Sequence, residues 1–441
     1  MRALGIDLGT TTIKGGVLNL ETGTLEAITR RPFPGPLPGR PRLHHEVDPD
    51  VIVAETRAVL EGLLAEAPEA DALTLCSQMH GLVLTDARGA PLGPALTWQD
   101  QRAAEPGPRA GASWFQSLLD VLDPAEIRAC GNDLWVMRPL SALYWMAGHG
   151  QLPRGARVCA LPDFVAAQLC GHPVATEVGH ATASSMFDLT RGVWHREMLA
   201  RLGLGELSLP ALVDRRTPLG VFRAAGRALT LYPPIADQQC SLRGAGLQPG
   251  ELSINVSTGS QVGALSEGLQ LGDYQTRPYF DGRYLNTWIH VPAGRSLNAL
   301  VRLLSELAEA EGVSLTRVWE TIDARTQTLA ASDLRVDLSF FAGALGDEGS
   351  ITRIREDNLN IGALFHAAFD SMAANYHALA GRIRPGRDWT RLVFSGGLVL
   401  QMPALRARIL HHFDCPYRLA EGGEDALMGL LLDARARMAR A

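Results

Sequence analysis

Residues 4–18 alternate between apolar and other side chains with a period of two on both sides of a bend. Leu4, Ile6 and Leu8 precede a bend rich in Gly and Thr, and Ile13 and Val17 follow it. A period of two is typical of β-strands, and a Gly-rich bend between two such runs is typical of a hairpin. The pattern therefore predicts two strands joined through residues 9–12.

The same pattern returns in the second half of the chain, over residues 252–266. With an offset of 248 the matched pairs are Ile6 with Ile254, Asp7 with Asn255, Thr10 with Thr258 and Gly15 with Gly263. A repeat at half-chain spacing predicts two similar domains. The alternative is that two unrelated hairpins agree by chance.

Helices and strands alternate through the rest of the chain. Helical spacing of apolar residues predicts helices over residues 51–64, 140–146, 163–169, 296–312, 362–384 and 424–437. Short apolar runs predict strands over 72–77, 82–85, 95–98 and 392–395, and Pro-rich stretches at 32–41 and 210–234 predict loops or linkers. We therefore predict the α/β class, with one domain over residues 1–234 and a second over 235–441.

Composition narrows the class of protein. Of the 441 residues 46% are hydrophobic and 20% charged, and the net charge is −6, which creates no field that would attract nucleic acid. The six cysteines show no metal-ligand spacing, no apolar run reaches 18 residues, and the N-terminus lacks a leader pattern. We expect a cytoplasmic protein without nucleic-acid or membrane partners. The sequence leaves a homodimer open.

The basic residues are strongly biased toward arginine. Of the 41 Lys and Arg side chains, Lys14 is the only lysine, and it directly follows the first bend. A GC-rich genome favours arginine codons and accounts for the bias in general. It does not account for the position of the lysine that is kept.

The first bend carries groups that suit a phosphate. Gly9 permits a tight turn, and Thr10, Thr11 and Thr12 offer hydroxyl and main-chain N–H groups. Asp7 could hold hydrated Mg²⁺, and Lys14 offers a point charge for phosphate. The second bend, residues 257–260, repeats the hydroxyls without the carboxylate. The alternative for each bend is a plain hairpin with a polar tip, but two such bends across a cleft would hold a nucleotide tail.

Several ordered segments together resemble the FGGY carbohydrate kinases, within the actin and hexokinase superfamily. These segments are GIDLGTTTIK at 5–14, QMHG at 78–81, TWQDQR at 97–102, ADQQ at 236–239, NVSTGS at 255–260 and SGG at 395–397. Among these kinases the chain is most similar to sedoheptulokinases and then to xylulokinases. The resemblance implies two ribonuclease H-like domains that flank an active-site cleft and close over their substrates.

The resemblance also implies roles for individual residues. Asp237 would be the general base that accepts the proton of the sugar hydroxyl as it attacks the γ-phosphate of ATP. Asp7 would organise Mg²⁺ through water. The phosphates and adenosine of ATP would contact the two bends and a glycine pair, namely Gly9, Thr10, Thr11, Thr12, Lys14, Thr258, Gly259, Ser260, Gly396 and Gly397.

The sugar is expected to contact polar and aromatic groups at strand ends. These are Gln78, Met79, His80, Trp98, Asp100, Asp237 and Gln238. Discrimination among hydroxyls needs buried donors and acceptors that would otherwise stay unpaired. The alternatives are a satisfied core histidine for His80, core packing for Trp98 and gap filling for Met79.

The chain departs from the usual family pattern at three places. Ile235-Ala236 stands where paired glycines usually precede the base, residues 140–145 lack a lysine, and residues 346–350 replace a Gly-Glu-Arg run. The first two departures also occur in sedoheptulokinase-like members. Residues 279–285, YFDGRYL, resemble the corresponding sedoheptulokinase stretch and favour a seven-carbon ketose.

The expected function is ATP- and Mg²⁺-dependent phosphorylation of a terminal primary hydroxyl of a ketose, with sedoheptulose first. Xylulose or another pentulose is the alternative substrate. Two alternatives belong to other classes: an actin- or chaperone-like ATP-binding protein, and a degenerate kinase that senses a sugar without phosphorylating it. The QMHG and TWQDQR segments argue against the first, and only Ile235-Ala236 supports the second.

Overall fold

The protein is described here by a computed structural model that covers residues 1–329, 332–341, 343, 345–420 and 423–438, with the backbone alone at 438. The described residues form two compact units. Unit 1 comprises Met1–Gly246, Thr276–Tyr284 and the described part of Gly422–Ala441. Unit 2 comprises Leu247–Gln275 and the described part of Leu285–Glu421.

The first part of the chain contributes its helices and strands to unit 1. They are β1 (Arg2–Leu8), β2 (Thr12–Asn19), β3 (Thr24–Pro32), β4 (Glu46–Val47), α1 (Pro49–Glu66), β5 (Ala72–Ser77), β6 (Leu82–Thr85), β7 (Ala95–Leu96), α2 (Trp114–Val121), α3 (Pro124–Ala129), α4 (Pro139–Gly148), β8 (Arg157–Ala160), α5 (Leu161–Cys170), β9 (Ala175–Thr176), α6 (Val178–Ala183), β10 (Phe187–Asp188), β11 (Val193–Trp194), α7 (Arg196–Arg201), β12 (Ala211–Leu212), β13 (Gly220–Ala224), β14 (Arg227–Leu231), β15 (Ile235–Ala236) and α8 (Asp237–Gly244).

The remaining elements belong mainly to unit 2. They are β16 (Glu251–Val256), β17 (Ser260–Ser266), β18 (Gln275–Pro278), β19 (Tyr284–Val291), α9 (Gly294–Ala310), α10 (Val318–Gln327), β20 (Arg335–Asp337), β21 (Ser350–Thr352), α11 (Ile361–Ile383), β22 (Arg391–Ser395), α12 (Gly397–Gln401), α13 (Pro403–Phe413), β23 (Tyr417–Leu419) and α14 (Asp425–Met438). Of these, α14, residues 276–278 of β18 and the first residue of β19 lie in unit 1. Short 3-10 turns occur at Arg102–Ala104 and Phe280–Gly282. None of the helices that the structure describes combines the length and hydropathy needed to span a bilayer.

The main sheet of unit 1 sets the geometry of the site. Its strand order is β13-β14-β5-β1-β2-β3, with β15 also paired to β5. β1 runs antiparallel to β2, and both β1 and β15 run parallel to β5, so that Leu8 and Ala236 are each in register with Ser77. Because parallel strands end at the same edge, the residues that follow β1, β5 and β15 are brought together there.

Unit 2 repeats the central part of this strand arrangement. Its sheet has the order β18-β19-β17-β16-β22-β23, with β16 antiparallel to β17 and parallel to β22. In each unit, therefore, a hairpin joins a sheet in which its first strand also pairs with a parallel strand. The predicted α/β class and the predicted internal repeat are both confirmed.

The two hairpins differ in length at the bend. Leu8 pairs with Ile13, which leaves four bend residues, whereas Val256 pairs with Ser260, which leaves three. The offset of 248 therefore holds for the first strands and becomes 247 along the second strands. An ungapped alignment would place Val262 opposite Lys14, but strand pairing makes Gln261 its counterpart, because Lys14 faces Asp7 and Gln261 faces Asn255.

Local sequence accounts for the main helices. In α1 the Asp48 side chain accepts the N–H groups of Asp50 and Val51 at 2.9 and 3.3 Å, and Pro49 occupies the first turn. Ile52, Val59, Leu60 and Leu63 then place one face of α1 in the core under the sheet of unit 1. α11, whose N-terminus is capped by Asn360, fills the core of unit 2 in the same way.

The prediction of a loop over residues 210–234 was wrong for much of that stretch. β13 and β14 form a hairpin at the edge of the unit 1 sheet, with Phe222, Leu229 and Leu231 fully buried. The turn uses Ala225 and Gly226 at positive φ, 47° and 72°, a geometry that suits the twist of a two-residue hairpin. The alternation of apolar and polar residues on both sides of Gly226 is the sequence signal for this hairpin, whereas the flanking prolines are typical of loops.

The compact units also differ from the predicted linear division between residues 234 and 235. β15 pairs with β5, and α8 packs against α14, so both elements belong to unit 1. Asp237 and Gln238 thus share a unit with Asp7 and Gln78. A division at one point of the sequence assigns β15 and α8 to the second domain. Both elements nevertheless belong to unit 1, because β15 pairs with β5 of the first sheet and α8 packs against α14. Residues 439–441 of the second predicted domain lie outside the described part of the chain.

Candidate active site

Asp7 lies near the carboxyl end of β1 with only 6% of its surface exposed. Burial raises the pKa of its carboxyl group to about 6, and Lys14 opposes this rise. The thiol of Cys76 donates to Oδ1 at 3.7 Å, a weak bond. Asp7 is a buried carboxylate one residue before the end of the strand that leads into the first bend, and hydrated Mg²⁺ is commonly held by one or two carboxylates, water and substrate phosphate.

The first bend is tight and directly joined to the neighbouring strand end. Gly9 N–H donates to the carbonyl of Thr12 at 3.1 Å, and a Cβ at position 9 would lie 2.9 Å from that same oxygen. Gln78 Nε2 donates to the carbonyl of Gly9 at 3.2 Å. Thr11 at the tip is exposed, with its hydroxyl 3.5 Å from that of Thr12. The bend therefore presents hydroxyl groups on a backbone that β5 holds in place.

Lys14 is placed between acidic groups. Its Nζ lies 3.3 Å from Glu424 Oε2, and it faces Asp7 across the hairpin. Arg30 also pairs with Glu424 but is half exposed. The lysine thus joins the first hairpin to the start of the closing helix of unit 1, beside the bend where we predicted phosphate binding.

The QMHG segment follows β5 and turns sharply. His80 has φ of +66°, and its Nδ1 donates to the carbonyl of Ala183 at 2.8 Å. Burial and the nearby Arg138 hold the pKa of His80 well below its usual range, so the ring is neutral with Nε2 as an acceptor. Gln78 is 2% exposed, and its Oε1 has no hydrogen-bond partner among the described residues. A neutral acceptor and an unused amide oxygen are suited to sugar hydroxyls.

Asp237 occupies the first position of α8, directly after β15. Its Oδ1 accepts the N–H of Gln238 at 2.7 Å, an interaction typical of the first turn of a helix. Burial and the charge of Asp7 raise the pKa of Asp237 to about 7, while Gln238 N–H and Arg277 act in the opposite direction. A carboxylate with a pKa near 7 is matched to proton acceptance at neutral pH.

Trp98 and Asp100 come from the TWQDQR segment and have different surroundings. Trp98 Nε1 donates to Thr10 Oγ1 at 2.9 Å, which places the indole beside the first bend. Both oxygens of Asp100 accept bonds within the protein, from Arg102 at 2.8 Å and from His45 N–H at 2.8 Å. The substrate role of Asp100 stays a prediction, and its existing bonds give it a structural role in holding the segment.

The second bend lies in unit 2 and is closed by its own contacts. Ser257 N–H donates to the carbonyl of Gly259 at 3.1 Å, and the N-terminal residues of α9 bond to the bend, with Arg295 N–H donating to the carbonyl of Thr258 at 2.8 Å. Ser257, Thr258 and Gly259 are exposed. Ser260 is fully buried, and its hydroxyl lies 2.6 Å from that of Tyr376, so its side chain faces the core.

The glycine pair after β22 serves two different needs. Gly396 has φ of +90°, and a Cβ there would lie 2.5 Å from the carbonyl oxygen of Val256, so the neighbouring strand requires glycine. Gly397 begins α12, and a Cβ there would meet nothing within 4 Å. The predicted contact with adenosine therefore stays a prediction for both, and packing alone accounts for Gly396.

A cavity of about 970 Å³ opens beside the second bend within unit 2. Its walls include Ser257 and Thr258 from the bend, Asn298 from α9, Trp319 from α10 and Gln401 from α12. The volume matches a ligand of nucleotide size. Trp319 and Gln401 supply an aromatic face and an amide that we did not predict, because no local pattern separates them from ordinary helix residues.

Arg277 is the functional candidate in unit 1 that sequence reasoning missed. Its guanidinium group contacts Met79 Sδ at 3.4 Å and bonds to the Gln238 side chain. The available signal was its position two residues before the YFDGRYL stretch. Among the residues that the structure describes, no group of three or more His, Cys, Asp or Glu side chains is arranged to hold a metal ion.

Comparison with protein families identifies the N-terminal region. Residues 2–235, more than half of the chain, match the model of the FGGY family of carbohydrate kinases, N-terminal domain. The chain is 26% identical over 273 residues to a xylulose kinase of Bacillus subtilis (strain 168), covering 59% of this chain and 52% of that protein. It is likewise 26% identical over 273 residues to a glycerol kinase of Cereibacter sphaeroides, covering 58% and 53%. The matched region thus spans about half the length of these curated relatives.

Solved structures share the fold over nearly the entire chain. A gluconate kinase from Lactobacillus acidophilus superposes with a TM-score of 0.84 at 16% identity, covering 100% of this chain and 90% of that one. At this identity the likeness concerns the fold alone.

Proposed function

Because this chain belongs to the FGGY family of carbohydrate kinases, we propose that it transfers the γ-phosphoryl group of ATP to a terminal primary hydroxyl of a ketose. The observation that carries the proposal is the meeting of three strand ends in unit 1. Asp7 near the carboxyl end of β1, Gln78 directly after β5 and Asp237 directly after β15 share one edge of the sheet. This edge combines a carboxylate suited to Mg²⁺, sugar-binding groups and a base.

Each residue has a chemical task in this proposal. Asp237 accepts the proton of the attacking hydroxyl, and a pKa of about 7 lets it do so near neutral pH. The bend from Gly9 to Thr12 receives phosphate oxygens through hydroxyl and N–H groups. Asp7 would hold Mg²⁺ through water, and the ion would supply positive charge to the phosphates. Unit 2 would bind the nucleotide in the cavity beside Thr258, with the base against Trp319.

The proposed substrates are ketoses of seven and of five carbons. Residues 279–285 favour sedoheptulose by their resemblance to sedoheptulokinases, whereas a curated relative is named xylulose kinase. His80 Nε2 and Gln78 Oε1 accept hydrogen bonds from hydroxyls that both ketoses carry, so these two residues support a ketose kinase without separating the two substrates. The glycerol kinase among the relatives makes glycerol a necessary member of the substrate panel.

The experiment is ADP release by the purified protein with a panel of ketoses, glycerol and no sugar. Release stimulated by one ketose supports the proposal and identifies the substrate. Equal release with and without sugar would favour an actin- or chaperone-like ATPase. Sugar binding in calorimetry without any ADP release would favour a sugar sensor.

A further inference from the structure

Arg277 is a buried arginine on a segment fixed against unit 1. It lies in β18, is 2% exposed, and belongs to the segment Thr276–Tyr284. Thr276 N–H donates to the carbonyl of Gly131 at 2.9 Å. A Cβ on Gly131, which has φ of +76°, would lie 2.4 Å from the carbonyl oxygen of Thr276. The backbone that carries Arg277 is therefore closely packed and has little freedom to shift.

A buried carboxylate fixes two of the three guanidinium nitrogens of Arg277. Asp133 is fully buried, and its Oδ2 accepts Nε of Arg277 at 3.1 Å and Nη2 at 2.8 Å. Its Oδ1 accepts Nε and Nη2 of Arg138 at 3.0 and 2.6 Å. Burial opposes ionisation, but the two arginines hold the pKa of Asp133 below its usual range. Two arginines on one carboxylate leave the cluster with one excess positive charge.

The third nitrogen, Nη1, faces the predicted sugar-binding residues. It lies 3.4 Å from Met79 Sδ and bonds to Gln238 Oε1. Met79 follows Gln78 at the end of β5, and Gln238 follows Asp237 at the start of α8. A thioether is a weak acceptor, so a sugar oxygen would be a better partner for a charged donor. Arg138 by itself would balance the charge of Asp133, and the charge of Arg277 also acts on Asp237, whose pKa it lowers.

We propose that Arg277 Nη1 donates a hydrogen bond to one oxygen of the ketose and thereby helps to determine which sugars are accepted, an inference that rests on the proposed function. The donor is rigid because Asp133 fixes the rest of the guanidinium group. A sugar that lacks the matching oxygen leaves one N–H of Nη1 with only the weak thioether acceptor of Met79. We expect such a mismatch to lower kcat/KM by about 30-fold or more.

The test is a double-mutant cycle in which one change is a substitution of Arg277 and the other is the removal of a single hydroxyl from the substrate. kcat/KM is measured for the accepted ketose and for analogues that each lack one hydroxyl, with wild type, Arg277→Met and Arg277→Lys. We expect one analogue to be at least 30-fold worse for wild type but less than about 3-fold worse for Arg277→Met, because the partner is already absent. Equal losses for every analogue with both enzymes would overturn the proposal and leave Arg277 a structural residue.

A matched control separates this effect from the general cost of losing a buried guanidinium group. Arg437 in α14 is also buried, pairs with Asp433 at 3.2 Å and donates to Thr74 Oγ1 at 3.0 Å. Arg437→Met should lower the melting temperature while changing kcat/KM about equally for all analogues. If it reproduced the selective pattern of Arg277→Met, the pattern would come from loosened packing and the proposal would fail.

Binding without ATP keeps the proposal testable whatever the catalytic result. If Arg277→Met does not fold, Arg277→Lys keeps the charge but cannot bond to Asp133 and the sugar together, and it replaces Met in the cycle. If wild type binds a ketose without phosphorylating it, the proposed function fails, and the same cycle is run on dissociation constants from calorimetry. If wild type binds none of the sugars, both proposals are overturned.

Discussion

Asp237 combines a catalytic position with an unfavourable environment for its charge. Burial and Asp7 raise its pKa from 3.8 to about 7. Since the base must be ionised, we expect kcat/KM to fall about tenfold per pH unit below roughly pH 6.5. Asp237→Asn should lower kcat by about 10²–10⁴ and remove this dependence. A rate that stays constant from pH 8 to pH 5 would contradict the assignment of the base.

The same carboxyl group should make stability depend on pH. Its pKa in the folded protein lies above the unfolded value, so its contribution favours folding at low pH and is lost as pH rises from about 4 through about 7. Asp237→Asn should therefore be more stable than wild type at pH 8, by at most about 4 kcal/mol, and similar at pH 4. Urea unfolding at both values measures this difference. The variant also shows whether any lost activity reflects lost structure.

Lys14 is tested best against an arginine that shares its partner. Lys14→Arg should lower kcat/KM for ATP about tenfold, because a planar fork replaces a compact charge beside the first bend. Arg30→Lys is the matched control, since Arg30 pairs with the same Glu424 but is half exposed. It should stay within about twofold of wild type. Unchanged kinetics in Lys14→Arg would contradict a role for Lys14 in binding ATP.

At the scale of elements, the crossing of α8 and α14 positions the base. A Cβ on Gly244 would lie 1.9 Å from the carbonyl oxygen of Asp425, and one on Gly429 would lie 2.0 Å from that of Cys240. The two helices thus approach through paired glycines, each one helical turn from the backbone atom that its partner contacts. Because α8 begins at Asp237, the distance between α8 and α14 determines the position of the Asp237 carboxylate.

Gly429→Ala should force the helices apart and destabilise the protein by about 2–4 kcal/mol, the usual range for severe packing defects. Gly62 in α1 is the control, because a Cβ there meets nothing within 4 Å. Gly62→Ala should be neutral or stabilising by up to about 1 kcal/mol. Denaturant midpoints measure both, and equal midpoints for the two variants would contradict the close crossing.

Element-level features with strong periodicity could be predicted from the sequence. Both hairpins, α1, β5, β22 and the closing helix lie where alternation or helical spacing placed them, within two residues at most ends. The β13–β14 hairpin was missed because prolines on either side outweighed a short alternation. The difference in bend length was missed because an ungapped alignment cannot show which residues pair.

At the scale of the whole molecule, residues that pack into the same unit are not always consecutive in the chain. Residues from three separate stretches build unit 1, including the segment with Arg277 and the closing helix. Asp7, Gln78 and Asp237 could be predicted as site residues because each belongs to a segment that carries the family resemblance. Arg277, Asp133 and Trp319 could not, because each reaches its site through long-range packing that leaves no local pattern.

The central claim, transfer of a phosphoryl group to a ketose, is tested most directly by product analysis. ³¹P NMR follows ATP with the best ketose of the panel, and ¹³C NMR locates the new ester. We predict one sugar monophosphate per ADP, esterified at a terminal primary carbon. ADP accompanied by inorganic phosphate, with no sugar ester, would contradict the claim.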